Sequence, residues 1–288
     1  MSEDINKLSS SSSGAKPKIA YLGPEGTFTQ SAVYKYFGHS ALNIPVGTIE
    51  DVFKHVDEGT AEFGVVPIEN STEGTVNNTL DMFISSPLKI CGEIELRIHQ
   101  HLLTTTQNLK MVERVYSHPQ SIAQCRIWLK DNLPNAEQIA VASNGQAAQL
   151  AANQQNSAAI AGDAASEVYE LSKLAENIED QSDNTTRFLI ISHSTPEPSG
   201  NDRTSLLLST VDTEDSGALY RILKPLADSK VNMTRIESRP SKKRKWHYVF
   251  FIDIDGHAND SNVAKALQEL EQSTQLFQLL GSYPKASY

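Results

Sequence analysis

Apolar runs of strand length alternate along this chain with amphipathic stretches of helix length, and this alternation limits the fold more than any other feature. The first run, Lys18 to Leu22, passes directly into the glycine-containing turn Gly23 to Thr27, and an amphipathic stretch to Phe37 follows. The run from Phe63 to Ile68 is almost continuously apolar, as is typical of a strand covered on both faces. The pattern predicts an α/β fold with mainly parallel sheets.

Helix ends in this part of the chain carry local signals. Thr48 followed by Asp51 three residues later predicts a helix start, and Gly59 suits the position just beyond the same helix. The further elements predicted by the pattern are a helix at 75–84, strands at 90–98 and 114–116, a helix at 120–129, a strand at 139–142, an Ala-rich helix through Ala151, a strand at 158–161, a helix at 164–171 and a strand at 187–191.

A second unit follows a short linker. His193 to Asn201 has no apolar periodicity and contains two prolines, so it is interpreted as the linker. Beyond it the pattern predicts strands at 204–211, 232–237, 247–253 and 275–282, with helices at 218–228 and 261–271. This βαββαβ order is that of a ferredoxin-like domain.

Charge and cysteine content exclude several classes of protein. A formal net charge of -10 disfavours nucleic-acid binding, and the basic run Lys242 to Lys245 is interpreted as a solvated hairpin tip. Cys91 and Cys125 have no partner at metal-ligand spacing and are expected to be buried thiols of a reducing compartment. Because no apolar run approaches the roughly 20 residues of a membrane span, we expect a cytoplasmic protein without membrane contact. The Ser-rich segment before Pro17 is predicted to be a disordered tail.

Polar clusters at four predicted strand ends are the candidate functional sites, since ligands of open α/β folds bind beyond the carboxyl ends of strands. The clusters are Gly23 to Phe28, Pro67 to Thr75, Tyr116 to Gln120 with Gln124 beyond it, and Asn184 to Phe188. The second cluster is the most specific, because hydroxyls and amides are dense there beside a predicted helix start.

Each cluster also has a purely structural interpretation: a tight turn, a capped loop, a hydrogen-bonded His118 or a salt-bridged Arg187. Walker, Rossmann, zinc-protease and serine-hydrolase motifs are absent, and the eight histidines do not cluster as metal ligands, so a metal- or nucleotide-dependent enzyme is disfavoured. The residues by themselves indicate a small anionic organic ligand and leave open whether the protein is an enzyme or a binding protein.

The four clusters, in this order, closely resemble the prephenate dehydratase family. The resemblance rests on GPEGTF at Gly23–Phe28, PIENSTEGT at Pro67–Thr75, YSHPQ from Tyr116, and TRF at Thr186–Phe188. GALY from Gly217 and NMTRIESRP from Asn232 resemble the ACT domain of that family. The resemblance implies two α/β subdomains like those of periplasmic binding proteins, with the active site in the cleft between them, and a hydro-lyase that makes phenylpyruvate from prephenate without a cofactor or metal.

Residue roles are implied by the same resemblance. Thr186 matches the catalytic hydroxyl, and the other implied catalytic residues are Asn70, Gln124, Ser117 and Glu69. The implied substrate-binding residues are Arg187, which would bind a carboxylate, and Thr27, Ser71, Thr72, Thr75 and Phe188. A phenylalanine effector would lie between two ACT domains of a homodimer or homotetramer, against Ala218, Leu219, Asn232, Met233 and Ser238.

The predicted domains are a tail at 1–17, a catalytic domain at 18–194, a linker at 195–202 and an ACT domain at 203–284. Within the catalytic domain, one subdomain takes about 18–97 and 178–194 and the other 98–177. Two alternatives stay open: the same reaction on arogenate, and a non-catalytic amino-acid sensor with the same fold. The tail is too short for the chorismate mutase domain of some relatives, so we expect no mutase activity.

Overall fold

The computed structural model describes residues 16–210, 216–241 and 248–286. Most of the predicted tail and the basic run at 242–245 lie outside the described residues. By backbone contacts the described chain forms two compact units, residues 16–79 with 94–188, and residues 80–93 with 189–286. The predicted domain boundaries stay a prediction. Within the described ranges, no helix combines the length and apolar character needed to cross a membrane.

The first sheet has the strand order β2-β1-β3-β11-β5, with β4 paired to β3. Its strands are β1 (Lys18–Leu22), β2 (Leu42–Val46), β3 (Phe63–Asn70), β4 (Gly74–Thr75), β5 (Lys89–Arg97) and β11 (Thr185–Ser192). The accompanying helices are α1 (Phe28–Phe37), α2 (Ile49–Asp57) and α3 (Asn77–Phe83). As predicted, β1 pairs in parallel with both neighbours, and β3 is buried from Phe63 to Val66. Thr48 caps α2 through the Asp51 N–H at 3.1 Å, and Gly59 follows its end with a φ of 71°.

The second sheet lies wholly in the first unit and has the order β10-β6-β9-β7-β8. Its strands are β6 (His101–Thr104), β7 (Arg114–Ser117), β8 (Glu137–Ala140), β9 (Ser157–Ala161) and β10 (Ser172–Ala175). A 3₁₀ turn (Leu109–Met111) and helices α4 (Pro119–Gln124), α5 (Arg126–Asn132), α6 (Asn144–Asn153) and α7 (Asp163–Val168) connect them. The strands β8, β7 and β9 are parallel, but β6 pairs antiparallel with β9 and β10, so this sheet is more mixed than predicted.

One predicted helix, 120–129, is interrupted at Cys125, whose backbone angles leave the helical region. The carboxylate of Asp180 accepts hydrogen bonds from the N–H groups of Ile127 and Trp128, at 3.1 and 3.4 Å, and so caps a new helix start. The prediction of one helix was therefore wrong, because the stabilising group comes from a residue far away in the sequence.

The carboxyl-terminal sheet confirms the predicted βαββαβ order. Its elements are β12 (Asp202–Ser209), α8 (Ala218–Asp228), β13 (Met233–Pro240), β14 (Tyr248–Asp255), α9 (Ser261–Ser273) and β15 (Leu276–Pro284). The strands are antiparallel in the order β13-β14-β12-β15, which is the ferredoxin-like arrangement. Its core is apolar, with Leu206, Ile222 and Leu270 at most 1% exposed.

Candidate active site

Two adjoining cavities within the first unit contain most of the residues singled out in the sequence. The smaller cavity has a volume of about 430 Å³ and is lined by residues that include Asn70, Gln124 and Thr186. The larger cavity has a volume of about 700 Å³ and reaches from Pro24 and Thr27 to the start of α6. Six residues line both cavities: Phe28, Pro67, His118, Gln120, Asn144 and Thr186.

Asn70 is held in one orientation by the loop that follows β3. Its side-chain oxygen accepts hydrogen bonds from the backbone N–H groups of Thr72 and Glu73, at 2.9 and 3.0 Å. The side-chain nitrogen must therefore face the other way, where it donates to the hydroxyl oxygen of Thr186 at 2.8 Å and to the Asn184 oxygen at 2.8 Å. The two predicted catalytic residues Asn70 and Thr186 are thus in direct contact.

Asn184 connects Asn70 to Gln124, the third predicted catalytic residue that lines the smaller cavity. The Asn184 nitrogen donates to the Gln124 side-chain oxygen at 3.2 Å. That oxygen also accepts from the Gln100 nitrogen at 3.2 Å. Asn70 ends a strand of the first sheet and Gln124 ends α4 beside the second sheet, so Asn184 joins the two halves of the first unit.

A second branch of the network lies behind Gln124. Gln100 donates to the hydroxyl of Ser121 at 3.0 Å, and Asn144 donates to the same hydroxyl at 2.9 Å. Gln100, Ser121 and Asn144 line the smaller cavity, and all three are buried. The network therefore holds α4 and the start of α6 in fixed positions relative to each other.

Ser117, also predicted to be catalytic, is fully buried and is not among the described residues that line either cavity. Its hydroxyl donates to the backbone oxygen of Ile160 at 2.8 Å. Glu69 pairs with Thr75 across the β3–β4 ladder, and Thr75 lines the smaller cavity whereas Glu69 does not. The catalytic roles of Ser117 and Glu69 stay predictions.

The hydroxyls of the loop after β3 support Asn184. Ser71 and Thr72 each lie 3.4 Å from the Asn184 side-chain oxygen, and the Ser71 hydroxyl also accepts the Thr185 N–H at 3.0 Å. Thr27 lines the larger cavity, and its hydroxyl donates to the Leu22 carbonyl oxygen at 3.2 Å. These predicted binding residues are therefore already engaged within the protein.

Strand alternation separates the last three predicted residues. Thr186 lines both cavities and Phe188 lines the larger one, since side chains two positions apart share a face of the strand. Arg187 projects from the opposite face, is buried, and is not one of the described cavity-lining residues. Its role in carboxylate binding stays a prediction.

The cavity walls contain few charged groups. Among the described lining residues Glu73 supplies a carboxylate, and neither Lys nor Arg is present. Burial lowers the pKa of His118, while the Glu73 carboxylate acts in the opposite direction. The Nδ1 atom of His118 accepts the Gln120 N–H at 3.3 Å, which places the proton of the neutral ring on Nε2. An anion in these cavities would therefore be held by helix N-termini and neutral donors.

Close backbone contacts join the turn after β1 to the helices of the second sheet. A methyl group at Gly145 would overlap the carbonyl oxygen of Glu25 and lie 3.1 Å from the Pro24 side chain. One at Gly162 would lie 2.5 Å from the ring of Phe28. Because both glycines lack a side chain, the turn after β1 and the ring of Phe28 can pack directly against the starts of α6 and α7.

A separate titratable cluster lies beside β6. His101 is buried, its Nδ1 accepts the Asn177 N–H at 3.2 Å, and its Nε2 lies 3.2 Å from the Asp163 carboxylate. Lys173 approaches the same carboxylate at 2.5 Å. Burial, followed by the Lys173 charge, lowers the pKa of His101. In the described residues no group of His, Cys, Asp and Glu could hold a metal ion.

The residues predicted to bind the effector phenylalanine belong to the second unit. Ala218 begins α8, and Leu219 beside it is 41% exposed. Asn232 donates to the Asp255 carboxylate at 2.8 Å just before Met233 begins β13, on which Ser238 is exposed. Their effector-binding role stays a prediction.

The residues of the smaller cavity to which the sequence assigned no role include four polar ones that form its network, Gln100, Ser121, Asn144 and Asn184. Asn184 stood in the fourth cluster, and Ser121 lies between two of the quoted glutamines. Gln100 and Asn144 carry no local signal, because only the fold brings them to Ser121.

Comparison with known proteins gives a consistent picture. The family model described as prephenate dehydratase matches residues 19–196, and that of the ACT domain matches residues 204–272. A bifunctional chorismate mutase/prephenate dehydratase of Pseudomonas aeruginosa is 50% identical over 270 residues, which are 93% of this chain and 73% of the relative.

Two solved structures are similar over nearly the whole chain. A prephenate dehydratase from Arthrobacter aurescens, solved in complex with L-Phe, has a TM-score of 0.86 and 36% identity, and covers 93% of this chain and 90% of its own. GqqA, described as a novel type of quorum quenching acylase, has a TM-score of 0.85 and 30% identity, and covers 94% of this chain and 98% of its own.

Proposed function

The chain belongs to the prephenate dehydratase family, and on this premise we propose that it converts prephenate into phenylpyruvate, water and carbon dioxide. The enzyme is a hydro-lyase, and the proposal requires no cofactor. A cytoplasmic location is part of the same proposal. The observation that carries it is the hydrogen bond from Asn70 to the Thr186 hydroxyl at the cavity surface.

This hydrogen bond has a direction that suits the reaction. Because Asn70 donates to the Thr186 oxygen, the hydroxyl proton of Thr186 is left to point elsewhere. Among the hydrogen bonds of the described residues, none uses that proton. The proton is therefore available to the hydroxyl group that leaves the substrate ring. A neutral threonine is a weak acid, so its role is hydrogen-bond donation and not full proton transfer.

The substrate supplies most of the driving force, since loss of hydroxide and carbon dioxide makes an aromatic ring. The protein must orient the substrate and stabilise the charge that develops on the leaving oxygen. One well-placed donor of this kind contributes about 10²–10³-fold to kcat. Asn70 and Gln124 are fixed by the network described above, so the donors need little rearrangement during the reaction.

The two substrate carboxylates need a separate account. The starts of α1 and α6 both face the larger cavity through Thr27, Phe28, Ser143 and Asn144, and free N–H groups at helix starts favour anions. These groups are the carboxylate ligands that the geometry favours. A contribution from Arg187 requires a different side-chain position.

Regulation by phenylalanine is the second part of the proposal. The ACT domain and the L-Phe complex of the Arthrobacter structure support phenylalanine as the effector. Ala218, Leu219, Asn232, Met233 and Ser238 are the proposed contacts. Effector binding between two ACT domains requires a homodimer or homotetramer.

Acyl transfer is less well supported, although one structural relative is described as an acylase. A hydroxyl nucleophile needs a base within hydrogen-bonding distance. In the described part of the chain the Thr186 hydroxyl contacts the Asn70 nitrogen, which is a donor and not a base. The arrangement therefore favours Thr186 as a donor.

The test is phenylpyruvate formation from prephenate by wild type and by Thr186→Ala, each with and without phenylalanine. We expect kcat to fall about 10²-fold or more in the variant and wild-type activity to fall with phenylalanine. If folded wild-type protein is inactive on prephenate but active on arogenate, arogenate is the substrate. Inactivity on both, with phenylalanine still bound, would support the amino-acid sensor.

A further inference from the structure

We propose that Asn184 is a positioning residue that passes the direction of the side-chain amide network from Asn70 to Gln124, so that Gln124, like Thr186, presents a hydrogen-bond donor to the smaller cavity. The inference deepens the proposed function and rests on it. Asn184 is 4% exposed and lies immediately before β11, two positions from Thr186.

The direction of the network begins at the backbone. Two N–H groups of the loop hold the Asn70 oxygen, so the Asn70 nitrogen faces Asn184. Asn184 must then turn its oxygen toward Asn70, and the hydroxyls of Ser71 and Thr72 lie 3.4 Å from that same oxygen. The nitrogen of Asn184 is thereby directed toward Gln124.

The same logic fixes Gln124. Its oxygen accepts from the nitrogens of both Asn184 and Gln100, at 3.2 Å each. The nitrogen of Gln124 therefore faces away from both, and within the described residues it has no hydrogen-bond partner in the protein. Because Gln124 lines the smaller cavity, its N–H groups are available to a ligand there.

A carboxylate in place of Asn184 would reverse this arrangement. It could still accept from Asn70, but it could not donate to the Gln124 oxygen. Gln124 would turn its nitrogen toward the carboxylate and its oxygen toward the cavity. A protonated carboxylic acid, in contrast, has one acceptor and one O–H donor, and so reproduces the bonding pattern of the amide.

The activity test uses this difference. We expect Asn184→Asp to have a kcat about 10²-fold below wild type at pH 8, with a smaller change in KM. As the pH falls to 5 and the new carboxyl group becomes protonated, the ratio of the variant's kcat to the wild-type kcat should rise at least about tenfold. Asn184→Ala is the matched control: it removes the same amide but has nothing to protonate, so its ratio should stay flat.

A purely structural role for Asn184 would not produce recovery at acid pH in the Asp variant alone. The proposal is overturned if Asn184→Asp keeps wild-type kcat at pH 8, or if a folded Asp variant stays equally impaired from pH 8 to 5.

A substrate-free measurement separates this inference from the proposed function. If the network direction is fixed, the new carboxyl group has a raised pKa in the folded state. Its charged form is buried, and it either faces the Gln124 oxygen or forces Gln124 to turn and lose its hydrogen bond from Gln100. A raised folded pKa means that stability is retained at low pH and lost as pH rises. The Tm deficit of Asn184→Asp relative to wild type should therefore shrink from pH 8 to 5. A deficit that grows would mean a lowered pKa and would overturn the inference, whatever the substrate proves to be.

Discussion

Adding one methyl group at Gly145 should disturb the wall of the larger cavity and reduce both stability and turnover. Gly145 is the second residue of α6, next to the cavity-lining Asn144. Its added carbon would overlap the Glu25 carbonyl oxygen, which belongs to the turn after β1. The start of α6 and the turn after β1, which both carry cavity residues, would have to move apart.

The magnitude follows from the space available. A methyl carbon needs roughly 3.5 Å from its neighbours, so the Glu25 turn or the start of α6 must shift by about 1 Å. Overpacking of this kind costs about 1–3 kcal/mol, and a misplacement of about 1 Å in a site can reduce turnover about 10²-fold. Alanine in an open helix position would instead stabilise by up to about 1 kcal/mol relative to glycine. A close contact at Gly145 therefore predicts a lower free energy of unfolding for the alanine variant, whereas an open helix position predicts a higher one.

The assay is thermal unfolding together with kcat and KM on prephenate. We expect Gly145→Ala to lower Tm by roughly 2–6 °C and kcat/KM by about 10²-fold. Gly47→Ala is the control in the wall of the same cavity, because its methyl group would meet only a side-chain oxygen of Asp51 at 3.8 Å. A raised Tm with unchanged turnover in Gly145→Ala would refute the close contact.

Three further outcomes are expected. Ser117→Ala should lose about 1 kcal/mol of stability with kcat within roughly threefold, since its hydroxyl is spent on the Ile160 carbonyl; a large kcat loss without destabilisation would restore a catalytic role. Arg203→Ala should lose about 3 kcal/mol in denaturant unfolding because Glu93, 1% exposed, loses a charged partner 2.7 Å away, and Arg203→Lys should lose less. Burial lowers the pKa of His101, so the contribution of the neutral ring to folding stability is present above about pH 6.5 and is lost as the pH falls. His101→Gln should therefore reduce the fall of Tm between pH 7 and 5. A variant whose Tm falls as steeply with pH as that of wild type would contradict this.

Much of the fold was accessible from local sequence. The apolar run at Phe63 to Ile68 and the cap at Thr48 predicted β3 and α2, because burial on both faces and helix capping leave signals within a few residues. The strands β2, β6 and β10, of four or five residues each, were missed. The interruption at Cys125 was also missed, because its cap comes from Asp180.

The candidate site was predicted unevenly for a comparable reason. Period-two alternation in β11 places Arg187 on the opposite face from Thr186 and Phe188, a signal that is present in the sequence itself. Ser117 precedes His118 by one position, yet the buried Ser117 hydroxyl donates to a backbone oxygen, whereas His118 lines both cavities. Which of two neighbouring side chains reaches the cavity depends on which face of the strand or helix is turned toward it.

The sequence by itself determined where the polar clusters lie relative to strand ends, the order of the elements and the family, because these depend on local pattern and on motifs in order. Only the tertiary structure decided that Asn70 meets Thr186, 116 positions away, and that Asn184 lies between Asn70 and Gln124. A hydrogen bond depends on distance and angle between two atoms, and a side-chain amide has a direction only once its partners are in place. The chemistry of the cavity therefore depends on contacts between residues far apart in the chain.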